Sequence, residues 1–337
     1  MKPTLCIFLL FIFLLPLRSS AQDTFSIVAI DSVTGEVGSA GASCVDLILN
    51  FPTYPIDFLG DLFPGQGAIN TQASYNVTNQ NNARTRMLAG DTPQQIVNWL
   101  TANDAGNNPN IRQYGIAAFV NGSPQTAGHT GTNTLNYKNH IAGPNYCIQG
   151  NILLGQSVLD SMESRFLNAP GDLACKLMAA LQGAKVVGAD TRCASNNSSS
   201  LFAFLKVAQP TDSFGSPSFL VRVKTPGGAQ IEPIDSLQRL FDSQHSCANT
   251  TIPETGSTYW KVYPNPVGDR LTVETLNANG LSDDTRYRLT DAHGRCIRKA
   301  KIRQEKQMID LADLAPGVYV LEVVSNDQRF VRRVVKQ

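Results

Sequence analysis

The sequence predicts an α+β domain of antiparallel sheets with helices packed outside, followed by a small all-β sandwich. Three observations predict it. Two period-2 runs, Phe25/Ile27/Ala29 and Val37/Ser39/Gly41/Ser43, flank a turn-forming stretch at 31–36, which reads as a hairpin. The elements that follow come as strands, helices, strands, helices, strands, an order that favours antiparallel sheets over a doubly wound fold. Beyond a polar Pro-, Gly- and Thr-rich stretch at 248–259, the chain turns to short alternating strands at the regular spacing of a sandwich.

In order, residues 45–64 are apolar and broken by proline, and read as a loop with one helical turn at most. Gly67–Ser74 reads as a strand, and 76–82 as a polar turn. Amphipathic helices are expected over 82–88 and 93–100, the second with Thr92-Pro93 as its cap and first turn. Strands follow at 113–120, 125–129 and 146–153, and helices at 156–166 and 173–182. A Gly-, Asn- and Ser-containing connection at 185–197 leads to strands at 200–208 and 218–223 and a helix at 234–243. The domain is thus expected over 24–247, a linker over 248–259, and the sandwich over 260–337. Its strands are expected at 260–266, 271–274, 287–291, 294–302, 308–311, 317–324 and 330–335.

The chain has 337 residues, enough for two domains, and 42% of them are apolar, enough for a sizeable core. Net charge is +1, which removes any composition-level case for nucleic acid or an acidic membrane as partner. Met1–Ala21 combines Lys2, an apolar run from Leu5 to Leu17 and the small-x-small ending Ser19-x-Ala21, the pattern of a secretory signal peptide. A membrane anchor is the competing reading, but the run falls short of the roughly 20 residues a span needs. Export and removal of the leader are therefore expected, with the mature protein secreted or held at the cell surface.

Six cysteines follow the leader: Cys44, Cys147, Cys175, Cys193, Cys247 and Cys296. An exported chain makes disulfides plausible, but the pairing stays open. Lacking CxxC and HExxH spacing, and GxGxxG after a strand, the sequence gives no support to a metal or a nucleotide, and no cofactor is expected.

The segment from 260 to 337 holds Tyr263-Pro264-Asn265-Pro266, the strand and turn from Tyr287 to Gly294, and Leu314-Ala315-Pro316-Gly317-Val318-Tyr319, with the basic end Arg332–Lys336. On these motifs, in this order, it resembles the C-terminal sorting domain of the type IX secretion system of Bacteroidota. The resemblance implies an address read by the type IX machinery. Residues 24–209 hold Thr24–Asp31, Thr34–Gly38, Thr71-Gln72-Ala73, Tyr114-Gly115-Ile116, Gly128-His129-Thr130-Gly131, Gln149-Gly150-Asn151, and Gly188-Ala189-Asp190 with Arg192. On these motifs the segment resembles an uncharacterised bacterial family, domain of unknown function 1028, assigned to the Ntn-hydrolase superfamily. This likeness implies a four-layer αββα Ntn-hydrolase-like sandwich, two antiparallel sheets between helical layers. It implies no substrate.

If the superfamily's logic transfers, Thr24 is the nucleophile: its hydroxyl attacks an amide carbonyl, and its own α-amine takes the proton. The chain must then begin at Thr24, whereas cleavage after Ala21 leaves Gln22-Asp23 ahead of it, so a second cut is required. The competing reading makes Thr24 only the first residue of a strand. His129, in a Gly-flanked loop, is a candidate acid or substrate-orienting group, or else a capped loop histidine. Asn151 is a candidate oxyanion donor, or a buried amide serving loop backbone. Asp190 and Arg192 are candidate substrate-binding residues, or a structural pair that fixes the loop at 195–200. Cys44, His129 and Asn151 follow the chain order of papain-like proteases without the local signature, so Cys44 is expected to be a disulfide partner.

Two functions stand at this point. The first is an exported Ntn-type amidohydrolase acting on an unidentified small-molecule or peptide amide; the second is an inactive Ntn-fold binding protein, secreted or at the surface. Residues 24–83 hold no Lys or Arg, which weighs against the enzyme, since a nearby cation helps lower such pKa values.

Overall fold

The computed structural model describes residues 24–247 and 260–337, except 277–280, 283, 292–294 and 326–327. The expected leader and the linker at 248–259 lie outside the described residues.

The opening hairpin forms as the alternation predicts. Thr24–Ile30 (β1) and Val37–Ser43 (β2) pair antiparallel, from Thr24 opposite Ser43 to Ile30 opposite Val37. Every residue of both strands is buried, because both faces are covered. Phe25, Ile27 and Ala29 pack toward helices, while Val28 and Ile30 face a second sheet.

The chain continues through Gly60–Phe63 (β3) and Gly67–Gln72 (β4), then the helices Val77–Leu88 (α1) and Pro93–Ala102 (α2). Gln113–Val120 (β5), Ser123–Thr130 (β6), Asn139–Ala142 (β7) and Tyr146–Gly150 (β8) follow. Next come Gln156–Asn168 (α3), Leu173–Gly183 (α4), Phe202–Ala208 (β9), Phe219–Lys224 (β10) and Pro233–Gln244 (α5). One sheet runs β10-β9-β2-β1-β8-β7 and the other β3-β4-β5-β6, with every ladder antiparallel. Helices α3, α4 and α5 pack on the first sheet, α1 and α2 on the second, and the sheets face each other. This is the αββα sandwich the resemblance implies.

Three places depart from the sequence reading. Helix α1 starts at Val77 rather than at 82, capped by the Asn76 side chain, which accepts from the amides of Thr78 and Asn79. Its first turn buries Asn79 and Gln80, so the inward face is polar there and hydrophobic periodicity does not register it. Strand β3 falls inside the stretch read as loop, and β7 inside one given no element. Each is four residues long, too short to show a period before it is paired. Helix α2 matches its prediction, with Thr92 and Gln95 closing a capping box and Pro93 in the first turn.

Two disulfides form, Cys44–Cys193 and Cys175–Cys247. Cys147, buried between the sheets, and the exposed Cys296 are unpaired thiols. The C-terminal segment builds a second all-β unit from Trp260–Tyr263 (β11), Arg270–Thr275 (β12), Arg286–Asp291 (β13), Cys296–Lys301 (β14), Lys306–Asp310 (β15), Gly317–Ser325 (β16) and Gln328–Lys336 (β17). Sheets β11-β12-β15 and β14-β13-β16-β17 enclose Leu271, Leu289, Leu321 and Val334, all fully buried.

Candidate active site

Thr24 opens β1, and strand parity aims its side chain, with those of Ser26, Val28 and Ile30, at the space between the sheets. Its neighbours come from three separate parts of the chain. Ser43 lies in register on β2, and Asn151 follows the last residue of β8. The Thr24 nitrogen donates to Asn151 Oδ1 at 3.2 Å, and the Asn151 amide donates back to the Thr24 carbonyl at 3.2 Å. Gln72 Nε2 donates to the same carbonyl at 3.1 Å. Only 1% of Thr24 is exposed, and its hydroxyl has no hydrogen-bond partner among the described residues. An unpaired buried hydroxyl costs about 1–3 kcal/mol, so its presence calls for an explanation.

Below Thr24 the layer between the sheets is polar and hydrogen-bonded. Ser26 donates to Gln72 Oε1 at 2.6 Å and accepts from Gln149 Nε2 at 2.5 Å. Gln72 Nε2 also donates to Gln113 Oε1 at 2.7 Å, and Gln113 Nε2 reaches Thr130 Oγ1 at 2.9 Å. Gly115 makes room for Gln149: a Cβ there would sit 1.8 Å from Gln149 Oε1. The chain of bonds ends at His140, whose Nδ1 lies 2.9 Å from Thr130 Oγ1. Burial, and to a lesser degree His129, hold the His140 pKa below the ordinary imidazole value, so the ring is neutral at pH 7.

His129 is not brought to this layer. It lies opposite Tyr114 in the β5–β6 ladder, and its ring stacks on the tyrosine at 5.8 Å. Tyr114 belongs to the core beneath α1 and α2, so both rings face outward from the sandwich interior. His129 Nε2 is bonded to the Pro109 carbonyl at 3.1 Å. The reason is parity: Gln113 and Thr130 point inward, so the adjoining Tyr114 and His129 point out. The inward histidine is His140, opposite Gln149 on β7, a strand the sequence reading did not contain.

Asp190 and Arg192 do come to this end of the sandwich. The Asp190 carboxylate is fully buried and accepts from the Cys44 amide at 2.8 Å, and from Arg192 Nε and Nη2 at 3.0 and 2.8 Å. The Cys44–Cys193 disulfide and the Thr191 amide, which donates to the Ile152 carbonyl at 3.0 Å, tie the same segment to the ends of β2 and β8. Ile152, next to Asn151, holds φ at 53°, and Ala73 and Ser74, just past Gln72, hold 53° and 49°. Left-handed backbone in residues other than glycine costs about 1–3 kcal/mol apiece and concentrates at functional sites. Ala73 and Ile152 each adjoin a residue bonded to Thr24, and Ser74 is one position further on.

Lys206 on β9 is opposite Ser39 on β2, so the first hairpin does have a cation beside it despite the lack of one in 24–83. Ser39 pairs with Val28, four positions along β1 from Thr24, or roughly 13 Å at strand rise. Lys206 is committed to Asp57 at 2.8 Å.

The model of a family of unknown function, DUF1028, matches residues 24–225. The chain belongs to DUF1028. A solved DUF1028 protein from Silicibacter pomeroyi is similar in structure, at 22% identity and a TM-score of 0.51, covering 66% of this chain and 90% of that one. At that identity the likeness speaks for the DUF1028 fold alone. The model of a secretion system C-terminal sorting domain matches residues 261–337, which places the DUF1028 domain on the type IX route to the cell surface or beyond. PorZ, a type IX surface component of Porphyromonas gingivalis, is 19% identical with a TM-score of 0.21, and covers 40% of this chain and 15% of that one. No curated protein matches the chain.

Proposed function

We propose that the exported DUF1028 domain is an N-terminal-nucleophile amidohydrolase, activated when the Asp23–Thr24 bond is cut. The reading rests on one observation: the Thr24 hydroxyl is buried beside a hydrogen-bonded polar network and has no partner of its own among the described residues. Cleavage turns the Thr24 peptide nitrogen into an α-amine, which Asn151 Oδ1 holds in place. The hydroxyl oxygen attacks the substrate carbonyl carbon, and its proton passes to the amine and then to the leaving nitrogen as the C–N bond breaks. Water then hydrolyses the ester, returning the threonine. In this scheme Asn151 and Gln72 position Thr24, while the Asp190–Arg192 pair and the Cys44–Cys193 disulfide fix the surrounding turns. A cleaved leader at 1–21 would start the export route.

A second reading, an inactive binding protein, draws on the 1% exposure of Thr24, which closes the hydroxyl to an incoming carbonyl. The N-terminal mass of the protein secreted by its native host separates the two. A chain starting at Thr24 that a β-lactone labels on that residue, with labelling lost in Thr24→Ala, is the hydrolase outcome. A chain that keeps Gln22 and Asp23 and takes no label is the binding-protein outcome.

A further inference from the structure

A cavity of about 660 Å³ opens along the edge of the sandwich between β3, β9 and β10. Neither Thr24 nor Asn151 lines it. Its volume lies within the range of about 300–1,000 Å³ for small-molecule sites. One wall is aromatic: Phe58 packs edge-on against Tyr54 and Tyr75, with centroids 5.3 and 4.9 Å apart. Phe214 sits across from them, 50% exposed, with the Arg84 guanidinium 5.7 Å over its ring. An exposed aromatic ring at the mouth of a cavity gains by being covered.

The charges in this cavity do not cancel. Arg84 is matched by Asp61 at 2.7 Å. Lys206 and Arg222, however, share the single carboxylate of Asp57, at 2.8 and 3.0 Å. Three cations thus face two carboxylates. Burial works to raise the Asp57 pKa, but Lys206 and then Arg222 hold it below the ordinary value, so the carboxylate is ionised at neutral pH and one positive charge remains. The Lys206 side chain is 9% exposed, and a cation so withdrawn from water is stabilised by a further anion in hydrogen-bond reach.

We propose that this cavity binds a small organic monoanion with a flat apolar body, such as an aryl carboxylate. The anionic group meets Arg222 and Lys206, and the body lies between the Tyr54–Phe58–Tyr75 wall and Phe214. The inference does not rest on catalysis at Thr24 and stands whether or not that reading does.

The test is a fluorescence titration of the full chain with 8-anilinonaphthalene-1-sulfonate, beside N-phenyl-1-naphthylamine, the same rings without the charge. Saturable one-to-one binding of the sulfonate is expected, at least tenfold tighter than the neutral probe and displaced by 3-phenylpropionate. Arg222→Gln leaves Lys206 and Asp57 as a neutral pair, and should weaken the sulfonate about tenfold while barely moving the neutral probe. Phe214→Ala should weaken both probes, and Thr24→Ala neither. Arg222 and Phe214 are about half exposed, so both variants should fold. Equal affinity for the two probes, or an unchanged sulfonate titration in Arg222→Gln, overturns the proposal. So does loss of the signal in Arg288→Gln, which would put the probe in the basic groove of the C-terminal unit instead.

Discussion

Replacing Thr24 by valine exchanges the hydroxyl for a methyl of nearly the same shape, and the structure sets the sign of the effect. The Thr24 hydroxyl is buried and forms no hydrogen bond among the described residues. Removing it recovers the desolvation cost of an unpaired polar group, about 1–3 kcal/mol, and the new methyl adds apolar burial. Ser26, two residues along the same face, is the internal control, because its hydroxyl is bonded to both Gln72 and Gln149. Ser26→Ala strands those amides and should destabilise by about 1–3 kcal/mol. The two substitutions are therefore expected to move stability in opposite directions. Urea unfolding followed by Trp99 in a Trp260→Phe background reports the N-terminal domain alone, since Trp99 lies in α2 and Trp260 in β11. In thermal unfolding, a domain of this size shifts about 2–4 °C per kcal/mol. Thr24→Val should raise the midpoint and remove β-lactone labelling together, a gain in stability at the expense of reactivity. A lower midpoint in Thr24→Val would mean the hydroxyl is paired in solution, and the case for a poised nucleophile would go with it.

Two further substitutions probe the scaffold. Arg112→Met removes the partner of Asp104, a carboxylate 1% exposed and held by Arg112 Nε at 2.8 Å, and should cost about 3–5 kcal/mol in urea unfolding at pH 7. Burial works to raise the Asp104 pKa, but bonds from Arg112, Asn108, Asn79 and Gly106 hold it well below the usual carboxylate range. With the folded value below the unfolded one of about 3.9, this stabilisation is complete above that pH and drains away as pH falls below it. A pH titration of wild-type stability that is flat from pH 6 to about 3 would contradict it. Gly115→Ala puts a Cβ into Gln149 Oε1 and should cost about 1–3 kcal/mol by overpacking. It should also reduce Thr24 labelling by disturbing the Gln149–Ser26 bond, whereas Gly122→Ala, in open space at a turn of φ 77°, should cost only its backbone strain.

Much of the fold was legible in the residues, because its long elements carry a period. The hairpin at β1 and β2, the capped helix α2 and the strands of the C-terminal unit each show a pattern that survives without a partner. Short elements do not: β3 and β7 are strands only because β4 and β8 offer them a ladder. The candidate site divides in the same way. Thr24 stood out as the head of the first strand close to the expected cleavage point and Asn151 from its place at a strand end, and the fold brings them to 3.2 Å. His129 stood out too, in its Gly-flanked loop, and faces the other way. The signal that could have found Gln72, Gln113 and Gln149 is an amide at the inward parity of an otherwise apolar or small-residue strand. That signal needs the inward face to be known first.

By itself, then, the chain determined the long strands and helices, the export address at its end, and the threonine at the head of β1. Those are local properties: alternation, capping and motif order are written in consecutive residues. Only the tertiary structure decided which histidine joins the polar layer, that Asp57 serves both Lys206 and Arg222, and that the Thr24 hydroxyl is left unpaired among the described residues. Each of these depends on how sheets stack and on which face a strand turns inward, and packing between residues as far apart as 24 and 151 sets that choice.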